Sequence, residues 1–289
     1  MKNKMGWSSN LCLALFCAGA ISLQAEEVTL TSGYSTAKID TISDLGMFHW
    51  DLGDGVNHLV QQWFWYRDNT GSHTVSSLTP SALEYYPAYP DYMRVVYGNS
   101  DALQVAVSYL LIGQGLGKGE IQESIQIRNG SGTAYDGFTF YQFSNFDLSS
   151  DKSDIVTITS TDGSPSPNWA RQSGNGINLS EVVDPEAVSG TVVLPLPAKY
   201  AAGNKTDLLG AITGGQDLSN ISYFAEEGDQ NRDATWAFQW DFSLAANMGS
   251  DEWFDIAKDK QLAVLPVPEP GALSLLGIGL VSLLLRRKS

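Results

Sequence analysis

Along most of the chain, apolar and polar residues alternate one by one rather than recurring every third or fourth position. The clearest run is Trp236-Ala-Phe238-Gln-Trp240-Asp-Phe242-Ser-Leu244, with five large apolar side chains on one face and small or polar ones on the other. Period two marks a half-buried strand, because successive Cβ atoms point to opposite sides of a pleated backbone. Ile121, Ile125 and Ile127 alternate with Gln122, Ser124, Gln126 and Arg128 in the same way. Similar patterns predict strands over 28–31, 47–51, 59–66, 92–97, 103–112, 138–146, 155–160, 188–194 and 262–265. Turn-forming clusters separate them, among them Asp54-Gly55, Asn129-Gly130, Asp162-Gly163-Ser-Pro165 and Ser173-Gly174-Asn175-Gly176. No stretch of about 12 residues shows helical periodicity with caps, and no repeat recurs at a period of about 20–50 residues. The pattern predicts an all-β body: a single large antiparallel β-sandwich over residues 26–265, with 162–178 as a long surface loop.

The two ends break the pattern. Lys2 and Lys4 precede an apolar run from Leu11 to Leu23 and a small residue at Ala25. That order predicts a secretory signal peptide over residues 1–25, too short in its apolar part for a comfortable membrane span. At the other end, Val267-Pro268-Glu269-Pro270 leads into an almost wholly apolar stretch from Gly271 to Leu285, then Arg286-Arg287-Lys288. Pro270 suits a helix start, where its missing N–H would be unpaired anyway. The apolar stretch predicts a short membrane helix, and the basic triplet reads as its cytoplasmic anchor under the positive-inside rule. Everything before Pro268 then lies outside the cytoplasm, in agreement with the leader.

A Pro-Glu-Pro tripeptide, one short apolar span and a terminal basic cluster resemble the PEP-CTERM sorting signal, here over residues 266–289. The resemblance implies that Val267, Pro268, Glu269 and Pro270 form the motif read by an exosortase and that Arg286, Arg287 and Lys288 hold the tail at the membrane. It further implies export through the Sec machinery, transient anchoring in the inner membrane, and delivery to the cell surface or extracellular matrix. It is silent on the body.

Composition sharpens the picture once it is sorted by segment. The chain of 289 residues carries a formal charge of −15. Five of its 17 basic residues but only one of its 32 acidic ones lie in the two ends, so the body is about four charges more negative than the whole. Such acidity argues against nucleic acid, whose phosphates need a basic face. Both cysteines, Cys12 and Cys17, fall in the leader, so a mature body would hold no thiol or disulfide.

Candidate chemistry is sparse. Gly113-Gln-Gly115-Leu-Gly117-Lys118-Gly119 fails as a phosphate loop, because Ile112 and Gly119 stand where Gly and Ser/Thr are required and a strand follows instead of a helix; a glycine-rich hairpin is expected. Asp229, Asn231 and Asp233 have the first alternate oxygens of a calcium loop, but Ala234 and Trp240 replace the turn glycine and the bidentate glutamate. Asp51, Asp54 and Asn57 form a second oxygen-rich loop, and for both the expectation is a solvated Asp-Gly type turn, with Ca²⁺ the one cofactor they suggest. His49, His58 and His73 match no compact zinc spacing. There is no Gly-x-Ser-x-Gly elbow, and a two-carboxylate glycosidase cannot be nominated among so many acids. Trp63-Phe64-Trp65-Tyr66 puts aromatics on both faces of one strand, which requires a second covering layer. The prolines of Tyr85-Tyr86-Pro-Ala-Tyr89-Pro-Asp-Tyr92 predict an exposed loop in which Tyr85, Tyr86 and Tyr89 offer ring faces for stacking on sugars. The expectation is therefore a non-enzymatic, exported surface or matrix protein associated with exopolysaccharide; a carbohydrate-binding module using the 85–92 loop or Trp63 and Trp65, and a polysaccharide hydrolase or lyase, are the alternatives.

Overall fold

The computed structural model describes residues 27–148, 154–161, 166–184, 192–193, 196–225 and 233–264. The leader and the C-terminal segment lie outside these, as do Asp229 and Asn231. Numbered in chain order, the strands form two sheets. The eight-stranded sheet runs β1 (Glu27–Ser32), β2 (Ser35–Asp40), β3 (Met47–Asp51), β4 (Leu59–Asp68), β10 (Tyr135–Phe146), β17 (Ala234–Leu244), β15 (Lys199–Asn204), with β5 (Gly71–Thr74) also paired to β4. The ten-stranded sheet runs β16 (Tyr223–Ala225), β11 (Ile155–Thr159), β12 (Trp169–Gly174), β13 (Ile177–Asp184), β18 (Phe254–Val264), β9 (Lys118–Asn129), β8 (Leu103–Gly113), β7 (Tyr89–Tyr97), β6 (Pro80–Tyr86). All these pairings are antiparallel; β14 (Val192–Val193) joins β18 in parallel, in the region where the sequence pattern predicts an ordinary strand over 188–194.

The sheets pack face to face through aromatic side chains. In the register of β4, β10 and β17, Phe64, Gln142 and Phe238 stand opposite one another, as do Tyr66, Phe140 and Trp240. Phe64 stacks on Phe140 at 5.7 Å, Tyr66 on Phe138 at 5.7 Å and Phe146 on Trp236 at 5.3 Å. Phe242 reaches across to Phe254 of the other sheet at 5.3 Å. Each such pair adds about 0.5–1.5 kcal/mol beyond its buried area.

The second layer required by the aromatic strand is present. Trp63, Phe64, Trp65 and Tyr66 are all buried. A helix, α1 (Lys205–Thr213), packs on β15, β17, β5 and β10. Asn204 caps it by accepting the Asp207 N–H at 2.9 Å, and Asp207 adds a negative charge to its first turn. The segment after the helix is fastened by polar contacts to the sheet: Tyr141 donates to the Gln216 carbonyl at 3.1 Å and Leu218 N–H to Gln239 at 2.8 Å. Among the described residues no helix is long and apolar enough to cross a membrane.

Two expected loops are strands. Residues 169–174 and 177–184 form the β12–β13 hairpin, turning on Asn175 and Gly176, both with positive φ. The tyrosine segment is the β6–β7 hairpin: pairing runs out to Tyr86 opposite Tyr89 despite the prolines, with an irregular register between Tyr85 and Tyr86. Pro87 falls in the turn and Pro90 in β7 of the edge hairpin, where a missing N–H is tolerated. The Gly-rich stretch joins β8 to β9 as the expected hairpin, with Gly113 opposite Gly119.

Candidate functional site

Strands β9 and β18 are neighbours, and each carries different chemistry on its two faces. Inward, Lys258 stands opposite Glu123, and Lys260 stands opposite Glu181 of β13. All four side chains are fully buried. Lys258 Nζ lies 2.6 Å from Glu123 Oε2 and 3.6 Å from Glu181 Oε1. Lys260 Nζ contacts the other Glu123 oxygen directly and lies 3.6 Å from Glu181 Oε2. Two positive and two negative charges balance, the condition under which ions persist away from water.

The opposite sheet contributes one amide. Gln142 of β10, fully buried, accepts from Lys258 Nζ at 2.8 Å and donates through Nε2 to Glu181 Oε2 at 2.9 Å and to Ser144 Oγ at 2.8 Å. The Phe64 ring lies 4.8 Å from the same ammonium. Burial drives Lys258 down to about 8, against the opposing pull of Glu123. Burial alone would raise Glu123, but the two lysines outweigh it and hold its carboxyl below the usual range. The Tyr109 hydroxyl, buried without a hydrogen-bond partner, is pushed well up by burial and by the charge of Glu123.

Outward, the alternate residues of the same strands line a groove of about 370 Å³ with Tyr92, Leu110, Gln122, Ser124, Asp184 and Asp259 on its walls. Partial burial and the nearby charge of Glu120 raise the Asp259 carboxyl. A carboxyl held up in a groove is a recognised mark of a functional position.

The residues singled out from the sequence fall in several places. Tyr86 and Tyr89 are 59% and 68% exposed at the hairpin tip. Tyr85 instead packs against the core and donates its hydroxyl to the Thr29 carbonyl at 3.1 Å. Trp63 and Trp65, being buried, present no ring to a ligand. Asp51 accepts the N–H groups of Gly53 and Gly55, and Asn57 accepts those of Trp50 and Leu59, so the oxygens of that loop serve its own backbone. His58 is buried 3.0 Å from Asp54, whereas His73 sits beside Asp68. Among the described residues no three His, Cys, Asp or Glu side chains group as metal ligands.

The buried charge cluster has no local sequence motif. Its signal is Ile256-x-Lys258-x-Lys260-x-Leu262, where lysines occupy the inward positions of a period-two strand.

The fold is thus a two-sheet β-protein whose last described strand ends at Val264. Residues 266–288 match the PEP-CTERM protein-sorting motif. This motif implies export, a membrane-anchored C-terminus before processing, and exosortase as the processing partner. No curated protein matches the chain.

Proposed function

We propose that the mature protein is a non-catalytic component of the extracellular matrix, exported with a cleaved leader and released to the surface by exosortase. The observation that carries this reading is the sorting motif two residues beyond the central strand β18. The acidic, aromatic-cored body suits a life outside the cell, where no cytosolic partner or reductant acts on it. Replacing Pro268, Glu269 and Pro270 by alanine should leave unprocessed protein in the inner membrane and deplete it from the matrix fraction. Normal matrix delivery of that variant would sink the reading.

A second reading, carbohydrate binding, is favoured by the groove beside Tyr92 and by the exposed rings of Tyr86 and Tyr89. Rings stack on sugar faces, and the groove's Gln122, Ser124 and carboxylates supply hydrogen-bonding partners. A glycan array, run with and without calcium, should then give saturable binding that Tyr86→Ala with Tyr89→Ala weakens about tenfold, equivalent to about 1.4 kcal/mol. Loss on Tyr92→Ala alone would move the contact into the groove. Release of reducing sugar on the same panel would favour a hydrolase instead.

A further inference from the structure

We propose that the Lys258 amine and the Gln142 side-chain amide condense into an intramolecular isopeptide bond that ties β18 of one sheet to β10 of the other. The proposal stands on the geometry of the sealed cluster and goes beyond the matrix role above.

Three conditions for such a reaction meet at this point. The nucleophile and the acyl group are already in contact, since Lys258 Nζ lies 2.8 Å from Gln142 Oε1. That hydrogen bond holds the amine against an oxygen one bond from the carbon it would attack, so the entropy of a bimolecular encounter is already lost; near-attack geometries reach an effective concentration of about 10⁵–10⁸ M. The amide is the reactive acyl group available, because Glu123 and Glu181 each face both lysines, and a carboxylate paired with ammonium groups resists attack. Gln142 is also fixed, its Nε2 held by Glu181 and Ser144. Finally, proton carriers touch both ends of the reaction: Glu123 Oε2 lies 2.6 Å from the lysine nitrogen and Glu181 Oε2 lies 2.9 Å from the amide nitrogen. Desolvation, which favours the free amine of Lys258, activates the nucleophile.

The step balances without an outside reagent. Lys258 gives one proton to Glu123, and its lone pair attacks Gln142 Cδ. The tetrahedral centre passes a second proton from the lysine nitrogen through Glu181 to Nε2. The Cδ–Nε2 bond then breaks, the carbonyl re-forms and ammonia leaves. Glu123 keeps its proton, so Lys260 and Glu181 remain as a neutral pair and no unbalanced charge is left in the core. The product adds a covalent link between two sheets that otherwise meet through side-chain packing and hydrogen bonds.

Tryptic mapping of the full-length chain, produced with its export signals and fully denatured before digestion, tests this. The expected result is loss of cleavage after Lys258 and a branched species joining residues 129–152 to 233–260, with a mass equal to their sum less one ammonia. Lys258→Arg, whose guanidinium is not a nucleophile, should abolish the branch, and Glu181→Gln should reduce or abolish it. Recovery of 129–152 and 233–258 from the natural chain as separate peptides of unaltered mass would overturn the proposal, whatever the variants do. A branch at Lys260, or one linking a lysine to Glu123 with loss of water, would overturn the assignment equally.

Discussion

Asp217 follows α1 on the outer side of the eight-stranded sheet, where its carboxylate accepts from Lys199 and, at 2.9 Å, from Arg67. These two cations, Lys199 foremost, hold the carboxyl down at about 2. A carboxyl lowered in the folded state stabilises the fold fully above its ordinary value near 3.8 and loses that contribution as pH falls through about 2. The side chain is 47% exposed, so solvent screening limits the effect to about 0.5–1 kcal/mol. Asp217→Asn should therefore be less stable than the natural protein in urea at pH 6, and the gap should close between about pH 4 and pH 2. A gap independent of pH would show that packing, not charge, is what the substitution removes.

Among the elements, β18 holds the middle of the ten-stranded sheet. It pairs with β9 along one edge and with β13 and β14 along the other. A chain stopped after Trp253 would leave β9 and β13 as open edges and Glu123 and Glu181 buried without their lysines. Breaking one buried ion pair costs about 3–5 kcal/mol, so this truncation should abolish a cooperative unfolding transition and expose the body to limited proteolysis; a sharp transition retained by the truncated chain would contradict this account. Only the tail of β18 is legible from sequence, over 262–265. Asp255, Lys258, Asp259 and Lys260 interrupt its apolar run, and alternation is visible only if lysines are allowed to point inward. β12 and β13 are hidden for a related reason, since Arg171, Gln172, Ser173, Asn178 and Ser180 read as loop. By contrast, β3, β4, β8, β10 and β17 stand out in sequence because aromatic and branched residues dominate them. The nine residues of α1 are too few for helical periodicity to show.

At the scale of the molecule, an all-β sandwich is legible because alternation survives in most strands. The strand order is not, since neighbours such as β4, β10, β17 and β15 are distant in the chain. The same distinction separates the two functional features. The sorting motif is contiguous and can be read directly, whereas the charge cluster assembles from residues 123, 142, 181, 258 and 260, brought together only by pairing. The position of β18 also fixes an order of arrival. During export its residues are the last of the sandwich to emerge, so β9 has to wait with one edge bare, a template for mispairing until the partner comes through. When β18 does arrive, the matched motif follows at residue 266, two residues after Val264. Pairing of β18 into the sheet and emergence of the motif are therefore nearly one event.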